Sequence, residues 1–211
     1  MPLTNTRPGN PPTYDRVFKQ FSLTQQKLRN FDPNTARSMD WFYSVARAAH
    51  DLTVNPRQIM RSDTARLYPV KDIKVGELLF YFYDPKYAEE LPFYDQFPLV
   101  FPFSLRTDGQ GFFGINLHYL YPRDRLELIR TLQPYKDGVG ERAKLLWNYG
   151  VLKSIAGSNI TSNAVKQYLF SHVQSRAFRV PYGDWPMAAM LPVERFVKSD
   201  KHQVWARTSI F

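Results

Sequence analysis

Four histidines, three aspartates beside turn residues, one glycine cluster and two runs of basic residues among rings are the positions whose types could do chemistry in this chain. His50, His118, His172 and His202 stand at no metal-ligand spacing, and no H-E-x-x-H occurs. His118, in GINLHYL, has the type of a general base, but a hydrogen-bonded histidine within a strand suits that context better. A two-metal nuclease needs carboxylates that converge on the ions. Asp84 precedes Pro85, Asp95 precedes an aromatic run and Asp108 precedes Gly109, and each is a place where turn chemistry asks for aspartate. The cluster GQGFFG, Gly109 to Gly114, lacks the Lys-Ser/Thr of a phosphate loop and lies in a predicted hairpin rather than before a helix. No G-x-S-x-G occurs, and with no cysteine there is no thiolate metal site, disulfide or cysteine nucleophile. No catalytic residue, metal or cofactor is assigned, and no enzyme activity is expected.

The basic residues among aromatics point elsewhere. Arg176 and Arg179 flank Phe178, and Arg195, Lys198, Lys201 and Arg207 surround Trp205. The segment holding Arg123, Arg125 and Arg130 extends the same chemistry. Cations among rings can track a nucleic-acid backbone or bury a protein interface, and both readings stay open here. These nine residues are the candidate contacts to nucleic acid or a partner. The net charge of +9 is unevenly placed. Residues 1–70 carry ten Lys/Arg against five Asp/Glu, residues 71–121 four against seven, and residues 122–211 fourteen against seven. The basic excess sits on the flanks, which favours contact with nucleic acid or an acidic protein surface over a plain solvated face only as a prior.

The elements that must position these residues centre on Gly76–Tyr121, where Phe, Tyr, Leu and Val runs are punctuated by Asp-Pro, Phe-Pro and Asp-Gly. Strands are predicted at Glu77–Tyr83, Pro98–Ser104 and Phe112–Tyr119, with a hairpin at Asp108-Gly109 and an excursion over Lys86–Gln96. Because the strands are apolar on both faces, helices should pack over the sheet. Later strands are expected at Val173–Val180 and Glu194–Val197. Helices are predicted over Thr35–His50, Pro56–Arg61, Arg123–Leu132 and Gly140–Ile155, from Ser162 through His172, in a short turn from Pro186, and over Asp200–Thr208. Residues 1–33 read as an extended Pro-rich arm with a docking strip of Val17, Phe18, Phe21 and Leu28. Residues 34–211 read as a single α+β domain: a β-core over 76–121 plus late strands, and a helical insertion over 122–172. The expected architecture is a small, strongly bent antiparallel SH3-like barrel with helical flanks. The first residues have no apolar stretch of a signal peptide, and no run approaches a membrane span, so a soluble chain or one held in an assembly is expected.

Three pieces carry a specific likeness: LLFYFYDPKYAEELPFYDQFPLVFPF, GFFGINLHYLYPRDRLELI and PMAAMLPVERFVKSDKHQVWARTS. They span roughly Leu78–Ile129 and Pro186–Ser209, about a third of the chain. Together they resemble a family of virion proteins of T4-type tailed bacteriophages, most closely the DNA end-protector or head-completion proteins. The resemblance implies a non-enzymatic structural role in the virion, with host cytoplasm as the place of assembly. Implied partners are other virion proteins of the neck, tail or baseplate, and double-stranded DNA; it implies no membrane and no small-molecule substrate. Two alternatives remain: a tail or baseplate adaptor that binds only proteins, and a nuclease acting on DNA.

Overall fold

The computed structural model describes residues 56–57, 67–132, 150, 152–153, 156, 163–180, 182 and 185–208. The N-terminal arm, the expected helix over 35–50 and most of that over 140–155 lie outside the described residues. The chain divides into two units, Met1–Ala65 with Met190–Val193, and Arg66–Ala189 with Glu194–Phe211. The sheet, and the site that follows, belong to the second.

Eight strands are present among the described residues: β1 (Leu67–Tyr68), β2 (Leu78–Phe80), β3 (Tyr94–Asp95), β4 (Leu99–Leu105), β5 (Gly111–Asn116), β6 (Val165–Leu169), β7 (Ala177–Val180) and β8 (Phe196–Val197). Helices α1 (Pro122–Leu132), α2 (Trp185–Met190) and α3 (Lys201–Thr208) accompany them. Six strands form one antiparallel sheet in the order β1-β7-β2-β4-β5-β6, and β3 pairs with β8 in a second, two-stranded sheet. The α+β class therefore stands. Among the described residues no pairing joins β1 to β6, and the expected closed barrel is not found.

The central strands are apolar on both faces because both faces are covered. Leu79, Tyr81, Tyr83, Val100, Phe112, Tyr168 and Ala177 pack into one cluster with Ile73. Alternation sends Phe101 to the opposite face, where its ring meets Trp185 of α2 edge-on at 4.8 Å between centroids. Asp108-Gly109 does turn β4 into β5. Gly109 adopts φ +66°, a conformation that costs glycine nothing, and Asp108 Oδ1 accepts the Gln110 N–H at 3.0 Å.

Two expectations change. The segment from Ser162 through His172 is not a helix: Val165–Leu169 is strand β6, followed by a 3-10 turn over Phe170–His172. A local cap signal loses here to a ladder of five register pairs with β5 and to Tyr168 stacking on Phe112 at 5.3 Å. The third core strand also ends early, at Asn116. The Asn116 side-chain oxygen accepts the His118 N–H at 3.0 Å and winds Leu117–Tyr119 into a 3-10 turn, so His118 is not a strand residue.

Candidate functional site

The β5–turn junction places a carboxylate and an imidazole together in the interior. Asp95 Oδ2 lies 2.7 Å from His118 Nδ1, and both side chains are buried. The same oxygen accepts from Asn116 Nδ2 at 3.2 Å, while Oδ1 accepts the backbone N–H groups of Phe97 (3.1 Å) and Arg195 (3.2 Å). Burial alone would raise the Asp95 carboxyl. The His118 imidazole and the two backbone donors outweigh it and hold Asp95 below the usual carboxylate range. An ionised carboxylate only accepts, so His118 Nδ1 carries the proton and donates. Among the described residues His118 Nε2 has no hydrogen-bond partner. Asp95 thus ties β3 to β8 and to the end of β5.

A second ionic group adjoins it. Arg125 is buried in α1 and spends its guanidinium on carbonyls: Nε donates to Leu120 (2.9 Å), Nη1 to Ala189 (3.1 Å) and Nη2 to His118 (3.3 Å). The His118 carbonyl also accepts Trp205 Nε1 at 2.9 Å. Buried Glu194 sits 3.9 Å from Arg125 and 3.9 Å from Lys201, and among the described residues neither of its carboxylate oxygens makes a hydrogen bond. Desolvation pushes Glu194 up, but Arg125 first, then His118 and Lys201, keep it below its ordinary range. Burial lowers Arg125 against the opposing pull of Glu194 and Asp95.

These placements sort the nine basic candidates. Arg125 corrects the expectation of a partner-facing cation: it is an interior clasp, placed inward because i, i+3 and i+4 spacing from buried Leu128 and Ile129 puts it on the packed face of α1. Arg179 lies 3.3 Å from Glu77 and over the Tyr68 ring at 4.9 Å. Lys198, at φ 65°, donates to the carbonyls of Ala88 (2.9 Å) and Glu89 (2.7 Å), with the Glu89 carboxylate 3.8 Å away. Lys201 faces Glu194, and Arg195 Nη1 donates to the Glu194 carbonyl at 2.9 Å. Arg130 belongs to α1, and its side chain is outside the described residues. Arg123 and Arg176 are exposed, and their guanidinium groups have no carboxylate, hydrogen-bond or ring partner among the described residues. Exposed Arg207 lies over the Phe93 ring at 5.4 Å.

The sequence reading missed Lys166. Its ammonium lies 4.2 Å over the Tyr119 ring, and burial lowers it to about 8. Reading VKQYL as a strand would have paired Lys166 with Tyr168 on one face; the helix assignment hid it. Asp84, Asp95 and Asp108 have separate fates. Asp95 is the buried acceptor above. Asp108 is an exposed turn residue whose bond from Arg106 Nε (2.9 Å) lowers it to about 2. Asp84 is exposed, and its N–H donates to the His172 carbonyl at 3.1 Å. Among the described residues no group of three acids or imidazoles could hold a metal ion.

An antiparallel α+β fold that encloses part of its acid charge and leaves Arg123, Arg176 and Arg207 exposed defines the class: a basic α+β protein. Within that class, the chain belongs to the family of the phage T4 terminal DNA protecting protein, whose family model matches residues 21–209. No curated protein and no solved structure matches the chain.

Proposed function

We propose that this chain is a non-enzymatic, DNA-end-protecting structural protein of a T4-type phage virion. The observation that carries the reading is the family match over residues 21–209. The net charge of +9 supports it, as do the inward placement of Asp95 and Glu194 and the solvent-facing Arg123, Arg176 and Arg207. In this reading, arginines displace counterions from the phosphates, and the bound protein denies an exonuclease the last base pairs. The arm over residues 1–33 and the helical flanks dock on neighbouring virion proteins, with assembly in the host cytoplasm and a head-completion position.

The test is to offer an exonuclease linear duplex with and without the full chain at low ionic strength. Survival of the ends with protein, lost as salt is raised, is expected. Failure to retain duplex even at low salt leaves a protein-only adaptor of tail or baseplate. Cleavage of the duplex by the chain itself would make it a nuclease.

A further inference from the structure

Lys166 and Arg207 come from β6 and α3, far apart in sequence, yet they flank one connected group of rings. Lys166 lies over Tyr119 at 4.2 Å and Arg207 over Phe93 at 5.4 Å. Tyr119 is 5.9 Å from Phe93 and 5.2 Å from Phe196 between centroids. Side-chain donors hold the neighbouring segments together: Asn163 Nδ2 donates to the Arg207 carbonyl at 3.4 Å, and Thr208 Oγ1 to the Tyr119 carbonyl at 2.7 Å. Neither cation has a carboxylate partner among the described residues, unlike Arg125, Arg179, Lys198 and Lys201. Phe93 and Phe196 are half-buried, so ring surface remains at the rim.

We propose that this patch — Lys166 and Arg207 beside Phe93, Tyr119 and Phe196 — is where the open terminus of a duplex seats. The inference rests on the end-protecting reading and locates the contact. Phosphates run all along a duplex, whereas the bare π-face of a last base pair exists only at its end. Cations alone follow the backbone anywhere; cations beside rings match the one place where phosphate and an unstacked base face occur together. Arg207 serves both needs, because a guanidinium binds phosphate and stacks on a base. Arg123 and Arg176 have no ring contact among the described residues and supply binding that does not distinguish end from middle.

The experiment compares an open blunt-ended duplex with the same duplex closed at both ends by hairpin loops, using the full chain. Wild type is expected to favour the open duplex. The double variant K166Q/R207Q should lose that preference, and its salt slope on open duplex should fall by about two, one for each lost phosphate contact. On closed duplex its slope should be unchanged. K166R should keep the preference, and R123Q/R176Q should weaken both substrates alike. A second measurement needs no variant: amine acylation of Lys166 in the wild-type chain should be slowed by open duplex and not by closed duplex. Should wild type show no preference for open ends, the end-protecting reading itself falls. Should wild type prefer open ends while folded K166Q/R207Q keeps that preference, or should both duplexes slow Lys166 acylation equally, this placement alone is overturned.

Discussion

Asp95 receives four donors, two on each oxygen, and this sets what a single atom change does there. In D95N one oxygen becomes an NH₂ group that faces donors, and the His118 Nδ1–H loses its ionised acceptor. Destabilisation of about 3–5 kcal/mol is expected from breaking a buried pair, read from urea midpoints. The pH dependence has a definite sign. The native Asp95 pKa is depressed, so its contribution is complete above the unfolded carboxylate value and is lost as pH falls through the native one. Glu194 acts in the same direction. Wild-type stability should therefore drop below about pH 4, and D95N should drop less steeply there. Lys166 behaves in the opposite chemical sense. Burial favours its neutral form, so the charged ammonium costs stability at neutral pH, and that cost vanishes as pH rises from about 8 towards its ordinary 10.5. K166M should stabilise the protein at pH 7 by on the order of 1 kcal/mol, after discounting for solvent screening and the lost ring contact. Titrated upwards, the difference between K166M and wild type should shrink; a difference independent of pH would assign it to packing alone.

Strand β5 is built around two close approaches and follows a turn. A Cβ at Gly111 would run into the Tyr168 carbonyl oxygen across the β5–β6 ladder, and one at Gly114 would meet Val100 Cγ1 and, at 3.0 Å, the Phe101 carbonyl. Gly109 is different: nothing lies near its missing side chain, and only its positive φ matters. G109N should then cost less than G109A, since asparagine tolerates the left-handed region and alanine forfeits about 1 kcal/mol there. G111A should cost more than either, because backbone must move. Thermal unfolding of the three variants tests the ranking, and G111A as mild as G109N would mean that β6 is not held against β5 as described.

For the molecule as a whole, the distribution of charge matters more than its total. An acid and a base that meet inside, such as Arg125 with Glu194, add little to the field felt by a polyanion. Arginines without internal partners set it. Replacing Arg123 and Arg176 by glutamine should lower the salt slope of duplex binding by about two if both reach phosphate, whereas R125Q should act through folding and leave the slope per folded molecule unchanged. Filter retention across a salt series, with folded fraction measured in parallel, separates the two effects.

Local pattern alone placed the core strands near Glu77–Tyr83 and Pro98–Ser104, the Asp108-Gly109 turn, the helix beginning at Pro122 and the last helix to Thr208, because period, proline and turn chemistry act between near neighbours. The ring-rich block and its likeness to end-protecting virion proteins were equally legible, since both are properties of residue order. The strand at Val165–Leu169 was not, because its reason is a ladder to distant residues in β5, from Ile115↔Val165 to Gly111↔Leu169, where the gain from pairing exceeds a local cap. Nor could sequence separate Arg125, drawn inside by Glu194 and three carbonyls, from Arg123 two residues earlier, left in solvent. A side chain's burial is settled by what the rest of the chain brings against it, and for a charged group that neighbour decides whether its charge is spent within the fold or offered outside.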